Sequence, residues 1–175
     1  MKKLPLLVFF IIFTGLVSCR EEEFDQNNPS VDQFVHLLVE GEYQEFVAIP
    51  NFRPEQIPSL LLYADDTTSI LYFPANPIAS FHMDDFKLGE CMLWTIESIR
   101  VSYGQVDSHT SIERYPSLFP VLINEASQRP DRRATDAEIH HGYQAYYNWW
   151  YDDPNETFEQ KRTINPLEDT PLNWR

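Results

Sequence analysis

The sequence predicts a mainly α-helical single domain, either a small helical bundle or two helix pairs, with a long proline-containing loop in its middle and an extended C-terminal tail. Three observations predict it. Apolar residues recur at three- and four-residue spacing over 31–40, 88–103 and from 136 onward. Each of these stretches is punctuated by residues that start or stop helices: Ser30 and Gly41, Gly104, and Thr135 with Glu138. With 14% aromatic residues and only 5 glycines, residues 31–175 hold ample side-chain area for one core and have the length of one ordinary domain.

The chain opens with two lysines, Lys2 and Lys3, followed by an apolar run from Leu4 to Val17 that is short for a membrane span. That pattern predicts a secretory signal rather than a transmembrane helix. Its end, Leu16-Val17-Ser18-Cys19, resembles the lipobox of bacterial lipoproteins. The resemblance implies removal of residues 1–18, diacylation of the Cys19 thiol and usually acylation of the freed amine. At about 0.8 kcal/mol per buried methylene, two or three such chains hold a protein in a membrane. Residues 19–30 then read as a flexible acidic tether, Arg20-Glu21-Glu22-Glu23 followed by polar residues and Pro29. The acidic run resembles the surface-export signal of Bacteroidota lipoproteins, which implies the outer face of the outer membrane. The alternative is a solvated spacer facing the periplasm.

Charge narrows the partners. Removing residues 1–18 takes away two of the 13 basic side chains and none of the 27 acidic ones, so a net charge of −14 becomes −16. Such a surface disfavours nucleic acid, whose phosphates need Lys and Arg, and disfavours lying flat on anionic lipid. Expected partners are the membrane, through the lipid anchor, and a cationic or neutral protein or glycan. Of two cysteines, Cys19 is taken by lipid and Cys91 sits in an apolar helical pattern, so no disulfide framework is expected and Cys91 reads as core.

In chain order, Ser30 caps a helix over Val31–Glu40 with Val31, Phe34, Val35 and Leu38 inward. Pro54 opens a second helix through Leu60-Leu61-Leu62-Tyr63, irregular at Pro58. Residues 67–86 read as a long connection, with an extended piece near Ile70–Phe73 and with Leu71, Phe73 and Phe81 laid over the core. The strongest helix is Leu88–Tyr103. It is apolar nearly all round, hence central, with a narrow polar strip of Glu90, Glu97 and Arg100 in which Glu97 and Arg100 are spaced to pair. Pro116–Ala126 echoes Pro54–Ala64, with prolines aligned at 54/116 and 58/120, as two antiparallel helix pairs of the HEAT type would require. Thr135 and Glu138 form a capping box for a helix to about Tyr151, whose inward face is read as Ile139, Tyr143, Tyr146, Tyr147 and Trp150. The tail to Arg175 is expected to lie extended, hooked by Phe158, Leu167, Leu172 and Trp174.

Two constellations could carry function. Trp149, Tyr151, His141 and Asn148 fall outside the inward face of the aromatic helix, where flat rings meet sugar C–H edges and polar groups meet hydroxyls, so they form a candidate glycan platform. Against this, tyrosine-rich stripes at helical spacing are more often core. The Glu90/Glu97 strip is a candidate acid–base site of a hydrolase, against its reading as an ion pair at the core edge. No catalytic residue is otherwise indicated, because the chain lacks a Gly-x-Ser-x-Gly elbow, a phosphate loop and a Cys–His nucleophile pattern. Neither metal nor cofactor is expected, since His36, His82, His109, His140 and His141 show no zinc spacing. The aspartate pairs at 65–66, 84–85 and 152–153 lack the calcium-loop glycine. Asp66-Thr67-Thr68 is similar to the O-glycosylation triplet of Bacteroidota secreted proteins.

The lipobox, Leu88-Gly89-Glu90, Leu93-Trp94-Thr95-Ile96-Glu97-Ser98-Ile99-Arg100 and the Pro54–Asp66 helix together resemble a family of Bacteroidota lipoproteins whose domain has no assigned function. That resemblance implies no catalytic residues. The expectation is an outer-membrane lipoprotein acting as a non-enzymatic binding module, with glycan capture and acid-site hydrolysis as alternatives.

Overall fold

The computed structural model describes residues 23–79, 85–104, 114–127 and 132–175. The described residues form five α-helices and two small antiparallel ladders: α1 Val31–Glu40, α2 Ile57–Leu61, β1 Ser69–Ile70, β2 Phe86–Lys87, α3 Leu88–Ser102, β3 Leu122–Asn124, α4 Asp136–Tyr151, α5 Phe158–Lys161 and β4 Leu172–Trp174. It is helix-rich rather than purely α.

The axis is α3. Every residue from Leu88 to Ile99 is buried, so this helix is covered on all sides, with α2 and α4 packed against it. Its end follows from Gly104, which takes a left-handed φ of 79° that a side chain would resist. α1 begins where Ser30 Oγ accepts from the Gln33 N–H and stops at Gly41, φ 76°. Its inward Phe34 anchors an aromatic cluster with Phe24, Tyr43, Phe52 and Phe73, and Phe73 in turn meets Trp94 of α3. Edge-on ring pairs of this kind add about 0.5–1.5 kcal/mol each beyond burial.

Several expectations change. Residues 24–29, expected to belong to a flexible tether, are attached to the domain: Phe24 packs on Phe34, Tyr43 and Phe46, the Gln26 side-chain amide donates to Tyr43 Oη (2.9 Å), and Gln56 donates to Pro29 O (2.6 Å). The acidic and polar composition concealed that a single phenylalanine could dock the segment. In the 67–86 connection, β1 pairs with β2 and Phe73 is buried, but Leu71 is 77% exposed and does not cover the core. Phe81 lies outside the described residues.

The echo between the Pro54 and Pro116 segments is not a structural repeat. Pro54–Gln56 forms a 3₁₀ turn running into α2, whereas the Pro116 segment bends and then becomes β3. The difference lies in distant partners. β3 pairs with the C-terminal β4, Leu122 opposite Trp174, and the chain around it is tied by Arg175 N–H to Val121 O and Ala134 N–H to Leu122 O. A backbone whose donors and acceptors are taken by a neighbouring strand cannot also close helical turns. Two HEAT-like pairs are therefore replaced by one helix-centred core with a β3–β4 corner. The tail is only partly extended: Thr157 and Gln160 form a capping box that starts α5, and Leu167 and Leu172 are buried as expected.

Candidate functional site

The acidic strip of α3 faces inward. Glu90 is 1% and Glu97 5% exposed, so neither carboxylate meets solvent. Glu97 Oε2 accepts from Arg100 Nε and Tyr146 Oη, both at 2.8 Å, and Arg100 also binds Glu97 Oε1 and donates to Arg162 O at 2.9 Å. Tyr146 Oη in turn accepts from Trp174 Nε1 at 2.9 Å. Burial, then the Glu97 charge, pushes the Tyr146 phenol well above its ordinary range, so it stays protonated and donates. This network ties α3 to α4 and to β4, which makes the Glu97–Arg100 pair a structural brace.

Glu90 holds the other end of α3. Its Oε1 accepts from the Leu122 N–H (2.6 Å) and its Oε2 from Arg133 (3.1 Å), which also reaches Asp85 Oδ1 (3.3 Å). Burial raises the Glu90 carboxyl to about 7, against the opposing pull of Leu122 and Arg133. Cys91 beside it is buried, and its thiol is pushed up by the same desolvation. Among the described residues no group of three His, Cys, Asp or Glu could hold a metal.

The aromatic helix is rotated relative to the expected wheel. α4 buries Ile139, Gly142, Tyr146 and Trp149. Trp149 is 8% exposed and donates through Nε1 to Lys161 O at 2.8 Å, so it belongs to the core and not to a platform. Gly142, with no side chain of its own, lies against Leu122 and near Leu93 and Leu172, so α4 packs on them at a position that carries no apolar signal. His141 and Asn148 are exposed on the outermost strip, and Tyr151 is exposed on the strip beside it. The structure does not bring these four residues together.

It does assemble another row. His140, Tyr143, Tyr147 and Tyr151 follow one another up the outer flank of α4, with ring centroids 6.0, 5.8 and 4.6 Å apart. Tyr147 is 43% and Tyr151 47% exposed, while Tyr143 is half-buried. At the start of the row His140 Nδ1 lies 2.7 Å from Asp65 Oδ1, and Gln144 Nε2 lies 2.9 Å from His140 Nε2. The sequence signal for this row is the tyrosines at i, i+4 and i+8, of which the helical wheel places Tyr143 and Tyr147 inward and Tyr151 outward. A separate open hollow of about 550 Å³ at the start of α1 is lined by Glu23, Asp25, Asn28, Pro29, Ser30 and Gln33.

Fold and site together define a helix-rich domain braced by buried ion pairs, carrying a solvent-facing aromatic row. The chain belongs to the family described as a domain of unknown function, DUF4943, which matches residues 25–175. That start falls beside Phe24, which packs on Phe34. No curated protein and no solved structure matches the chain.

Proposed function

We propose that this protein is an outer-membrane lipoprotein of Bacteroidota, anchored through lipid on Cys19, whose domain is a non-enzymatic binding module displayed at the cell surface. Cys19 lies outside the described residues, and the anchor reading rests on the leader and on Leu16-Val17-Ser18-Cys19. Among the described residues no helix is long and apolar enough to cross a membrane. The observation that carries the binding reading is the row on α4, in which Tyr143 rests against the core while Tyr147 and Tyr151 present their rings to solvent beside fixed polar groups. Glycan capture, the second reading, would use the same rings in place of Trp149. An acid-site hydrolase is the weaker reading, because both α3 carboxylates are enclosed and engaged.

Two measurements test the proposal. Cys19→Ser should abolish palmitate labelling and sedimentation with membranes, and persistence of both would refute the anchor. Hydroxyl-radical footprinting of intact cells against purified protein should show Tyr147 and Tyr151 protected relative to Tyr103, which is exposed elsewhere. Equal reactivity in both preparations would remove the binding face.

A further inference from the structure

We propose that the outer flank of α4, the rings of His140, Tyr143, Tyr147 and Tyr151 with Asp65 at one end and Asp152 at the other, docks a cationic, extended segment of a partner chain. This deepens the binding-module reading and rests on it.

Charge complementarity selects the occupant. α4 carries no Lys or Arg over its 16 residues, and its last turn leads directly into exposed Asp152 and Asp153. Unpaired carbonyls at a helix C-terminus add partial negative charge there. At the other end the Asp65 carboxylate orients His140. The cations at the two ends of the helix are all engaged: Lys87 by Thr67 O and Asp136, Arg132 by Glu138, and Lys161 by Asp153 O and Glu156. An anionic ligand is therefore repelled along the whole strip, and the chain as a whole is at −14.

Ring geometry separates a cation from a sugar. Tyr143 and Tyr147 are tilted 53° to each other, and Tyr147 and Tyr151 46°. With centroids 5.8 and 4.6 Å apart, an ammonium or guanidinium lying over two neighbouring rings falls within about 6 Å of both centroids, the reach of a cation–π contact. A sugar ring needs one broad flat face, and each tyrosine here turns part of its face onto the next. The row spans about 16 Å at 1.5 Å per helical residue. An extended strand sets alternate side chains roughly 6.5–7 Å apart, somewhat wider than the 6.0, 5.8 and 4.6 Å between successive rings, so a strand laid along the row brings two or three Lys or Arg side chains over its rings.

The test is calorimetric titration of the whole protein in detergent with acetylated, amidated hexa-arginine, and with cellohexaose in a parallel arm. The expected result is saturable hexa-arginine binding that weakens steeply between about 50 and about 300 mM salt. Tyr147→Leu with Tyr151→Leu, which alters no charge, should weaken it about five- to twentyfold, each exposed ring being worth roughly a factor of two to five. Tyr147→Phe with Tyr151→Phe should retain it, because the ring face and not the hydroxyl is used. Unchanged affinity in the leucine pair would reduce the effect to diffuse attraction by an acidic surface and overturn the proposal. So would binding of cellohexaose that the leucine pair abolishes, or the absence of any hexa-arginine binding. If the peptide fails to bind while Tyr147 and Tyr151 are still protected on cells, the cationic class falls and the binding module stands. Failure of both assays removes both.

Discussion

Replacing Gly89 with alanine should destabilise the domain although alanine is the better helix former. Gly89 sits in the first turn of α3 where it crosses the end of α2, and its N–H donates to Asp66 O at 2.7 Å. A Cβ built there would lie 2.6 Å from Ala64 O, 2.8 Å from Asp66 O and 2.9 Å from Ala64 C. All three are backbone atoms, so relief requires moving one segment away from the other. Helix propensity returns at most about 1 kcal/mol. Against it stand overpacking, typically ~1–3 kcal/mol, and loss of the hydrogen bond, ~0.5–1.5 kcal/mol. The net loss is about 2 kcal/mol, which in a domain of this size lowers Tm by roughly 4–8 °C. Gly142→Ala is the matched control. Its Cβ would meet only the Leu122 Cδ1 tip at 3.1 Å and two leucine methyls at 3.6 Å, which can swing aside. It should fall within about 1 kcal/mol of the parent, because the propensity gain offsets the repacking. Urea unfolding followed by tryptophan fluorescence measures both. A Gly89→Ala midpoint equal to or above the parent would show that the α2–α3 approach is not set by this glycine.

The remaining predictions concern the buried network and the aromatic helix. Glu97→Ala leaves Arg100 without its carboxylate and should cost about 3–5 kcal/mol, while Glu97→Ala combined with Arg100→Met should recover part of that loss; a double variant no more stable than the single would contradict the brace. Because burial raises Glu90 to about 7 from 4.5, the folded state is favoured below pH 4.5 and loses about 3 kcal/mol of relative stability as pH climbs through 7; Glu90→Gln should flatten unfolding midpoints between pH 5 and 8, and a parent profile already flat there would refute the assignment. Glu138 behaves oppositely, since Arg132 holds its carboxyl well below the usual range, so its contribution is present at neutral pH and vanishes on acidification; Glu138→Gln should lose that acid limb in the same titration. Trp149→Ala should act on folding, with a loss of about 3–5 kcal/mol from a buried ring, rather than on ligand contact alone; a variant of parental stability would put Trp149 back at the surface.

By themselves the residues determined what local chemistry can specify. Ser30 and Gly41 bound α1, Thr135 and Glu138 start α4, and the nearly unbroken apolar surface of Leu88–Ile99 marks the central helix, because caps and amphipathic periodicity act within a turn or two of chain. The Thr157–Gln160 box that opens α5 was equally local and could have been read. Tertiary structure alone decided matters that depend on partners far along the chain. Whether the Pro116 segment becomes a helix or a strand turns on β4, which lies 50 residues further along at the Ile123–Asn173 pair (173 − 123), each ladder bond being available only once both strands are in place. Which flank of α4 faces water turns on which part of the helix meets Leu93, Leu122 and Leu172, and Gly142, which lies at that contact, carries no apolar signal. Glu90 and Glu97 look like a polar strip on a wheel, yet they lie inside because Leu122, Arg133, Arg100 and Tyr146 arrive from elsewhere to satisfy them, and a carboxylate can be buried only where such donors converge.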